Sequence, residues 1–227
     1  MDNGAYEGEQ LDEFDLLEAM HLLSPNVVVL PDDPGNMLST LRKSESFLNR
    51  LQREKYGAVS TMTVVHAIDG HLRGFELCYK LAKEFSDWIG FSRLTKSFGL
   101  PNESRLDRRS KFVYHLQQKG LWSPSHHHHA LGMNGYVDEL RRLSRLGIES
   151  VDSSSPVWRG LLGYSFEDKW PDVPLDMELA GVDRRYLHAE LAERNLQEVM
   201  EACRGYKSRA VSQLQGAASP GALYNQS

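Results

Sequence analysis

Residues 27–33 read Val27-Val28-Val29-Leu30-Pro31-Asp32-Asp33, an apolar run that follows the turn Ser24-Pro25-Asn26 and ends on two carboxylates. A short run with no polar alternation reads as a strand covered on both faces, the kind that parallel sheets contain. Similar runs recur at Thr61 to His66, Trp88 to Phe91, Ala130 to Met133 and Ile148 to Val151. Between them lie stripes of helical period. Leu38, Leu41, Leu48 and Leu51 mark one that ends near Gly57; Leu72, Phe75, Tyr79, Ala82 and Phe85 mark the next. Leu140, Leu143 and Leu146 mark a third, stopped by Gly147, a residue suited to a left-handed C-cap. A further helical region is expected from about Asp176 to Cys203, and the Gly-, Ala-, Ser- and Pro-containing segment 212–227 is expected to be a disordered tail.

Alternating strands and helices predict an α/β fold with a parallel sheet. Five βα-like units in roughly 160 residues have the spacing of a (β/α)8 TIM-type barrel, for which about 250 residues are typical. The pattern leaves that barrel, short of its full count, and an open doubly wound sheet both standing. No GxGxxG or GxxxxGK[ST] loop supports a nucleotide-binding version of the open sheet.

Composition narrows the class of protein. The 227 residues carry 26 Lys plus Arg against 31 Asp plus Glu, a net charge of −5 that excludes holding a polyanion by bulk charge alone. Any nucleic-acid contact has to come from a local patch. Cys78 and Cys203 form no CxxC pair, so neither a disulfide framework nor a Cys-rich zinc module is available, and a reducing cytoplasm fits best. No apolar stretch approaches the roughly 18 residues of a membrane span, and the acidic start, with Glu7, Glu9, Asp12 and Glu13, is the reverse of a signal peptide.

Acidic residues stand just beyond strand ends. Asp32 and Asp33 follow the first strand, Asp152 follows Ile148 to Val151, and Asp2 belongs to Asp2-Asn3-Gly4-Ala5-Tyr6-Glu7. In a parallel barrel the carboxyl ends of the strands form the active-site face, where such groups can serve as nucleophile and as acid or base at a sugar carbon. The competing role for Asp32 and Asp152 is to cap the helices that follow, since Asp is a preferred N-cap. The run His126 to His129 cannot all bind one ion, because successive strand residues point to opposite faces. It reads as the solvated entry to the strand that continues through Leu131, with no metal site.

These residues carry a family likeness. Gly147-Ile148-Glu149-Ser150-Val151-Asp152-Ser153-Ser154-Ser155-Pro156, after Leu131-Gly132-Met133, resembles the region of tRNA-guanine transglycosylases that holds the nucleophilic aspartate. Asp87-Trp88-Ile89-Gly90-Phe91 looks like the strand and glycine turn that touch the bound base, and Val27 to Asp32 like the strand ending in the base-recognising aspartate. Asp2-Asn3-Gly4-Ala5 stands where the family has Asp-Ser-Gly-Gly, whose aspartate is the second catalytic carboxylate. The likeness spans residues 2–165 in order. It departs from the tRNA enzymes in two places. Their two anticodon-gripping arginines fall here on Trp158 and Leu161, with Arg159 out of register, and their zinc site of three cysteines and a histidine has no counterpart. The Asn-Gly-Ala-Tyr-Glu and Pro-Asp-Asp variants look more like the phage and bacterial branch that exchanges guanine in DNA for a 7-deazaguanine.

The resemblance implies a base-exchange transglycosylase that replaces guanine in DNA with a 7-deazaguanine such as preQ0 and so protects phage DNA from restriction. Asp152 would be the nucleophile and Asp2 the acid and base, with net retention after two inversions and no metal or redox cofactor. Asp32 would read the guanine edge, and Asn3, His66, Gly90, Leu131 and Met133 would line the base pocket. Asp33 would cap the next helix. Because a stacked base cannot enter a buried pocket, the target must be flipped or unpaired. Arg93, Lys96, Arg105 and Arg108, with Arg109 and Lys111, are the candidates for holding phosphates, while Arg141, Arg142 and Arg145 sit on a helix away from the pocket. The alternatives are a queuosine-type tRNA-guanine transglycosylase and a non-catalytic fragment of the barrel.

If Asp2 matches the second catalytic carboxylate, the barrel (residues 1–211) lacks its first one or two βα units. A second polypeptide or an upstream extension would complete it. An incomplete parallel barrel exposes sheet edges, an aggregation liability. The 227-residue chain alone is therefore expected to be poorly soluble or inactive until the missing strands are supplied; robust turnover by a monodisperse monomer in size-exclusion chromatography would defeat that expectation.

Overall fold

In the computed structural model the described residues are 12–34, 36–54, 56, 59–66, 71–92, 108–132, 137–152, 155–161, 163–165 and 188–201. The chain divides into two compact units, residues 1–134 with 146–153, and residues 135–145 with 154–227. The tail 212–227 lies outside the described residues.

The first unit runs α1 (Glu13–Leu23), β1 (Val27–Val29), α2 (Met37–Arg53), β2 (Ser60–Val65), α3 (Leu72–Phe85), β3 (Trp88–Ser92), α4 (Arg108–Gln118), β4 (His127–Leu131) and, after an excursion into the second unit, β5 (Ser150–Val151). All strand pairs are parallel and their order in the sheet is β1-β2-β3-β4-β5. This order decides between the two architectures the sequence left standing. A doubly wound sheet reverses direction at a switch point; here each described strand joins the edge of the one before it. Right-handed crossovers that always advance the same way put α2, α3 and α4 on one face. The sheet is a curled, five-stranded, all-parallel half-barrel.

Side-chain alternation sorts the strands onto two faces. Val28 and Leu30 pack with Leu16, Leu17 and Met20 of α1 and with Phe47 and Leu51 of α2. On the same side Phe75, Tyr79, Phe91, Phe112, Trp122 and His128 form a run of ring contacts, the tightest being Trp122 on His128 at 3.7 Å between centroids. The opposite, concave side carries Val29, Met62 and Val64, with Val27, Trp88 and Leu131 against them. Gly90 belongs to this side, where a Cβ would meet Leu131 Cδ1 at 2.6 Å.

Two helices of the first unit were not legible as stripes. α1 is capped by Asp12, whose carboxylate accepts from the Phe14 and Asp15 amides at 2.8 and 2.9 Å. Its Leu22 and Leu23 are exposed, which blurs the apolar face formed by Leu16, Leu17 and Met20. α4 buries Arg109 beside Phe112, Val113 and Leu116, so its inward face is not wholly apolar. β4 also begins earlier than expected, at His127 instead of Ala130, while β5 is shorter than Ile148 to Val151.

The second unit contains α5 (Val137–Arg145), α6 (Ser155–Leu161) and a helix over 189–201, α7. The Asn195 amide donates to the carbonyls of Pro156 and Tyr164, both at 3.0 Å, tying α7 to α6. Gly160 lies directly against the Ala192 backbone, leaving no room for a side chain.

The histidine run is corrected by this arrangement. His127 to His129 lie within β4, and His128 is 1% exposed. The Ser123 amide donates to Tyr79 Oη, and the Tyr79 hydroxyl and His128 Nε2 share a hydrogen bond, both at 3.0 Å. Burial, with His126, His127 and Lys83 nearby, lowers the His128 pKa from 6.5 to about 3. The unfolded chain takes up that proton near 6.5 and the folded protein only near 3, so this stabilisation is full above the window and lost as pH falls through it. His128→Phe is expected to flatten the pH dependence of the unfolding free energy between those values, as measured by urea denaturation at stepped pH.

Candidate active site

The carboxyl ends of the strands carry two separate polar groupings. The first is built by β1, β2 and α2. Beyond Leu30 the chain turns through Pro31, Asp32 and Asp33, and α2 clamps that turn from its N-terminal half. Thr40 Oγ1 accepts from the Asp33 amide and donates to the Asp33 carbonyl, Lys43 donates to the Asp32 carbonyl, and Ser44 donates to the Pro31 carbonyl. The Asp32 carboxylate is thereby directed to His66, one residue past β2, with Oδ2 and Nε2 at 2.7 Å and both side chains under a tenth exposed. The His66 amide is fixed by Cys78 Sγ at 3.4 Å.

The capping alternative fails for Asp32, and the capping role expected of Asp33 fails as well. The N-cap of α2 is Asn36, whose side chain accepts from the Ser39 amide at 3.1 Å. Asp33 stands three residues too early to reach that turn, and its backbone groups are engaged by Thr40.

The second grouping is built by β4 and β5. Their register pairs His129 with Ser150 and Ala130 with Val151. Aligned residues in a parallel pair share a face, so His129, Ser150 and, two residues on, Asp152 stand on the same side as Leu131. His129 Nε2 meets Asp152 Oδ1 at 3.1 Å, and the Gly132 amide donates to the same oxygen at 2.8 Å. His129 Nδ1 meets Ser150 Oγ at 2.7 Å. Partial burial tends to raise the Asp152 pKa, but the His129 and Gly132 hydrogen bonds outweigh it and hold the carboxyl below its usual value. The carboxylate is ionised and, at 57% side-chain exposure, open to solvent. A fixed, ionised and accessible carboxylate can act as a nucleophile or stabilise a developing cation.

His129, Ser150 and the Gly132 amide were not singled out from the sequence. Strand parity was the available signal, because Ser150 is two residues before Asp152 and His129 two before Leu131. The strand pairing that joins them is not written in either segment.

Gly90 and Leu131, expected to touch the base, touch each other: Leu131 Cδ1 fills the space over the glycine. Of the phosphate-holding candidates, Arg93, Lys96 and Arg105 lie outside the described residues, as do Asp2, Asn3 and Met133. Arg108 opens α4 with its Nε buried. Arg109 is corrected: it is 3% exposed, and its guanidinium donates to the carbonyls of Phe91, Leu131 and Gly132 at the ends of β3 and β4. Those carbonyls occupy donors that a phosphate would need. No group of three or more His, Cys, Asp or Glu suited to a metal occurs among the described residues. No described helix is long and apolar enough to cross a membrane.

Comparison with known proteins finds no family model that matches the sequence and no curated protein that matches it.

Lowering the Asp152 pKa stabilises the fold above the unfolded carboxylate value, and that contribution is lost as pH falls through the folded value. Asp152→Asn is accordingly expected to lower the unfolding free energy near neutrality and to converge with the parent protein in acid, as measured by denaturant titration at each pH.

Proposed function

We propose that this chain is a base-exchange transglycosylase that replaces guanine in DNA with a 7-deazaguanine base, working in the cytoplasm on a (β/α)8-type barrel of which the described strands form five. The observation that carries the proposal is Asp152, ionised and accessible at the carboxyl end of β5 with Oδ1 fastened by two donors. It coincides with the aspartate that the sequence likeness assigns to nucleophilic attack.

In the first half-reaction an Asp152 oxygen attacks C1′ of the target deoxyguanosine. The C1′–N9 bond breaks, its electron pair leaves with guanine, and the departing base takes up one proton. In the second, the incoming 7-deazaguanine loses a proton from its ring nitrogen, that nitrogen bonds to C1′, and the aspartyl ester releases its carboxylate. Two displacements retain the configuration. Asp2 is proposed for the proton transfers and Asp32, held by His66, for the Watson–Crick donors of guanine, which a carboxylate accepts well. Asn3, Met133, Gly90 and Leu131 are proposed for the base pocket, and Arg93, Lys96, Arg105 and Arg108 for phosphate contacts. A second polypeptide completing the barrel remains part of the proposal.

The test is digestion of DNA to nucleosides and mass spectrometry from cells or virus with the gene intact, deleted, or carrying Asp152→Asn. A deazaguanosine in DNA that needs the gene and falls by more than about 10³-fold with the substitution supports the proposal. A change confined to tRNA nucleosides moves the activity to tRNA. No change in either leaves a non-catalytic barrel.

A further inference from the structure

The Ser150–His129–Asp152 chain goes beyond the nucleophile itself. An ionised carboxylate only accepts hydrogen bonds, so His129 Nε2 must carry the proton it shares with Asp152 Oδ1. Its other nitrogen, Nδ1, meets the Ser150 hydroxyl at 2.7 Å, a group that can donate or accept. The acceptor-only carboxylate thus requires the donor at Nε2, and the Ser150 hydroxyl at Nδ1 holds the ring in the orientation that presents it. The Gly132 amide adds a second donor to the same oxygen. We propose that His129 is a positioning residue, oriented by Ser150, that pins Asp152 through Oδ1 and so reserves Oδ2 for attack.

Three features make this more than packing. His129 and Ser150 are aligned partners across β4 and β5, so both side chains are set by the sheet and not by loops. His129, the middle residue of β4, shares the face of Leu131, whereas His128, one residue earlier, points into the aromatic cluster on the other face. Two donors on one carboxylate oxygen leave the other with the more available lone pairs and fix its direction, the kind of orientation whose loss costs about 10²-fold in rate.

The charged groups around the pair are few among the described residues. His127, two residues back on the same face of β4, is joined to Glu149 at 2.6 Å. Arg109 of α4 bonds the Leu131 and Gly132 carbonyls from the other side of the strand end. β3 contributes Gly90 opposite His129, which has no charge.

The experiment compares the full chain with His129→Phe, His129→Gln and Ser150→Ala, reading the Asp152 carboxyl titration by carbon-13 NMR with Asp152→Asn as the assignment control. The Asp152 midpoint is expected to rise in His129→Phe, to rise less in His129→Gln, which keeps a donor, and to rise least in Ser150→Ala. The kinetic arm rests on the base-exchange function: guanine exchange into DNA should fall about 10²-fold in kcat for His129→Phe with KM little changed, its acid limb moving to higher pH, and recover in part with Gln. Unchanged Asp152 titration in His129→Phe overturns the proposal. Shifted midpoints in a protein that exchanges no base into DNA or tRNA overturn the base-exchange function and leave the positioning role standing. If His129→Phe does not fold, the Gln and Ser150→Ala proteins carry the same comparison.

Discussion

A strand inside a parallel sheet has its edges bonded to neighbours and both its faces covered, so polar side chains are tolerated only where a partner is built in or where the strand ends. That constraint organises this protein. β1 is wholly apolar and ends at Val29, β2 finishes on Val64 and Val65, and a carboxylate and an imidazole follow at Asp32 and His66. β5 finishes at Val151 and Asp152 follows at once. Among the described residues both carboxylates stand past the ends of their strands, and His129 and Ser150 reach Asp152 from within β4 and β5.

Where polar groups do enter the sheet, each is matched. Thr63 shares a hydrogen bond with Ser86, and the Thr61 amide is taken by the Asp87 carboxylate. His128 is the largest departure from an apolar strand, and it is admitted as a neutral ring between Trp122 and Tyr79 with a hydroxyl on its Nε2. Burial raises the Tyr79 hydroxyl to a pKa of about 12, which keeps it a donor. Arg109 closes the opposite end of the same layer, its guanidinium donating to the carbonyls of Phe91 in β3, Leu131 in β4 and Gly132 just beyond it.

The two groupings at the strand ends differ in a way that fits different tasks. Asp32 and His66 are enclosed and held by α2, an arrangement suited to recognising a fixed pattern of donors. Asp152 is exposed, ionised and held by backbone and imidazole on one oxygen, an arrangement suited to attack. Enclosure costs a carboxylate its water and is tolerable when a matched partner replaces it; exposure leaves the Asp152 carboxylate open to solvent.

The apolar runs, the helical stripes of α3 and α5, and the carboxylates just past β1 and β5 are local properties of the chain, which is why the α/β class, the parallel sheet and the placing of Asp32 and Asp152 beyond strand ends follow from the sequence by itself; in α2 the leucine stripe misleads, since Leu38 is exposed and Met37, Thr40, Ser44, Phe47 and Leu51 form the buried face. α1 and α4 escaped because exposed Leu22 and Leu23 in one and buried Arg109 in the other break the stripe that marks a helix. The strand order could not be read locally either, since a half-barrel and an open sheet use the same strands and helices and differ only in which edge each crossover takes. The partners of the carboxylates were hidden for the same reason. His66 lies 34 residues from Asp32, and His129 lies 23 from Asp152. What joins His129 to Asp152 is the register of β4 and β5, and what directs Asp32 to His66 is the hold of α2 on the turn after β1; neither leaves a mark in the local sequence. The sequence determined which groups stand at the strand ends; the tertiary structure alone decided which of them meet.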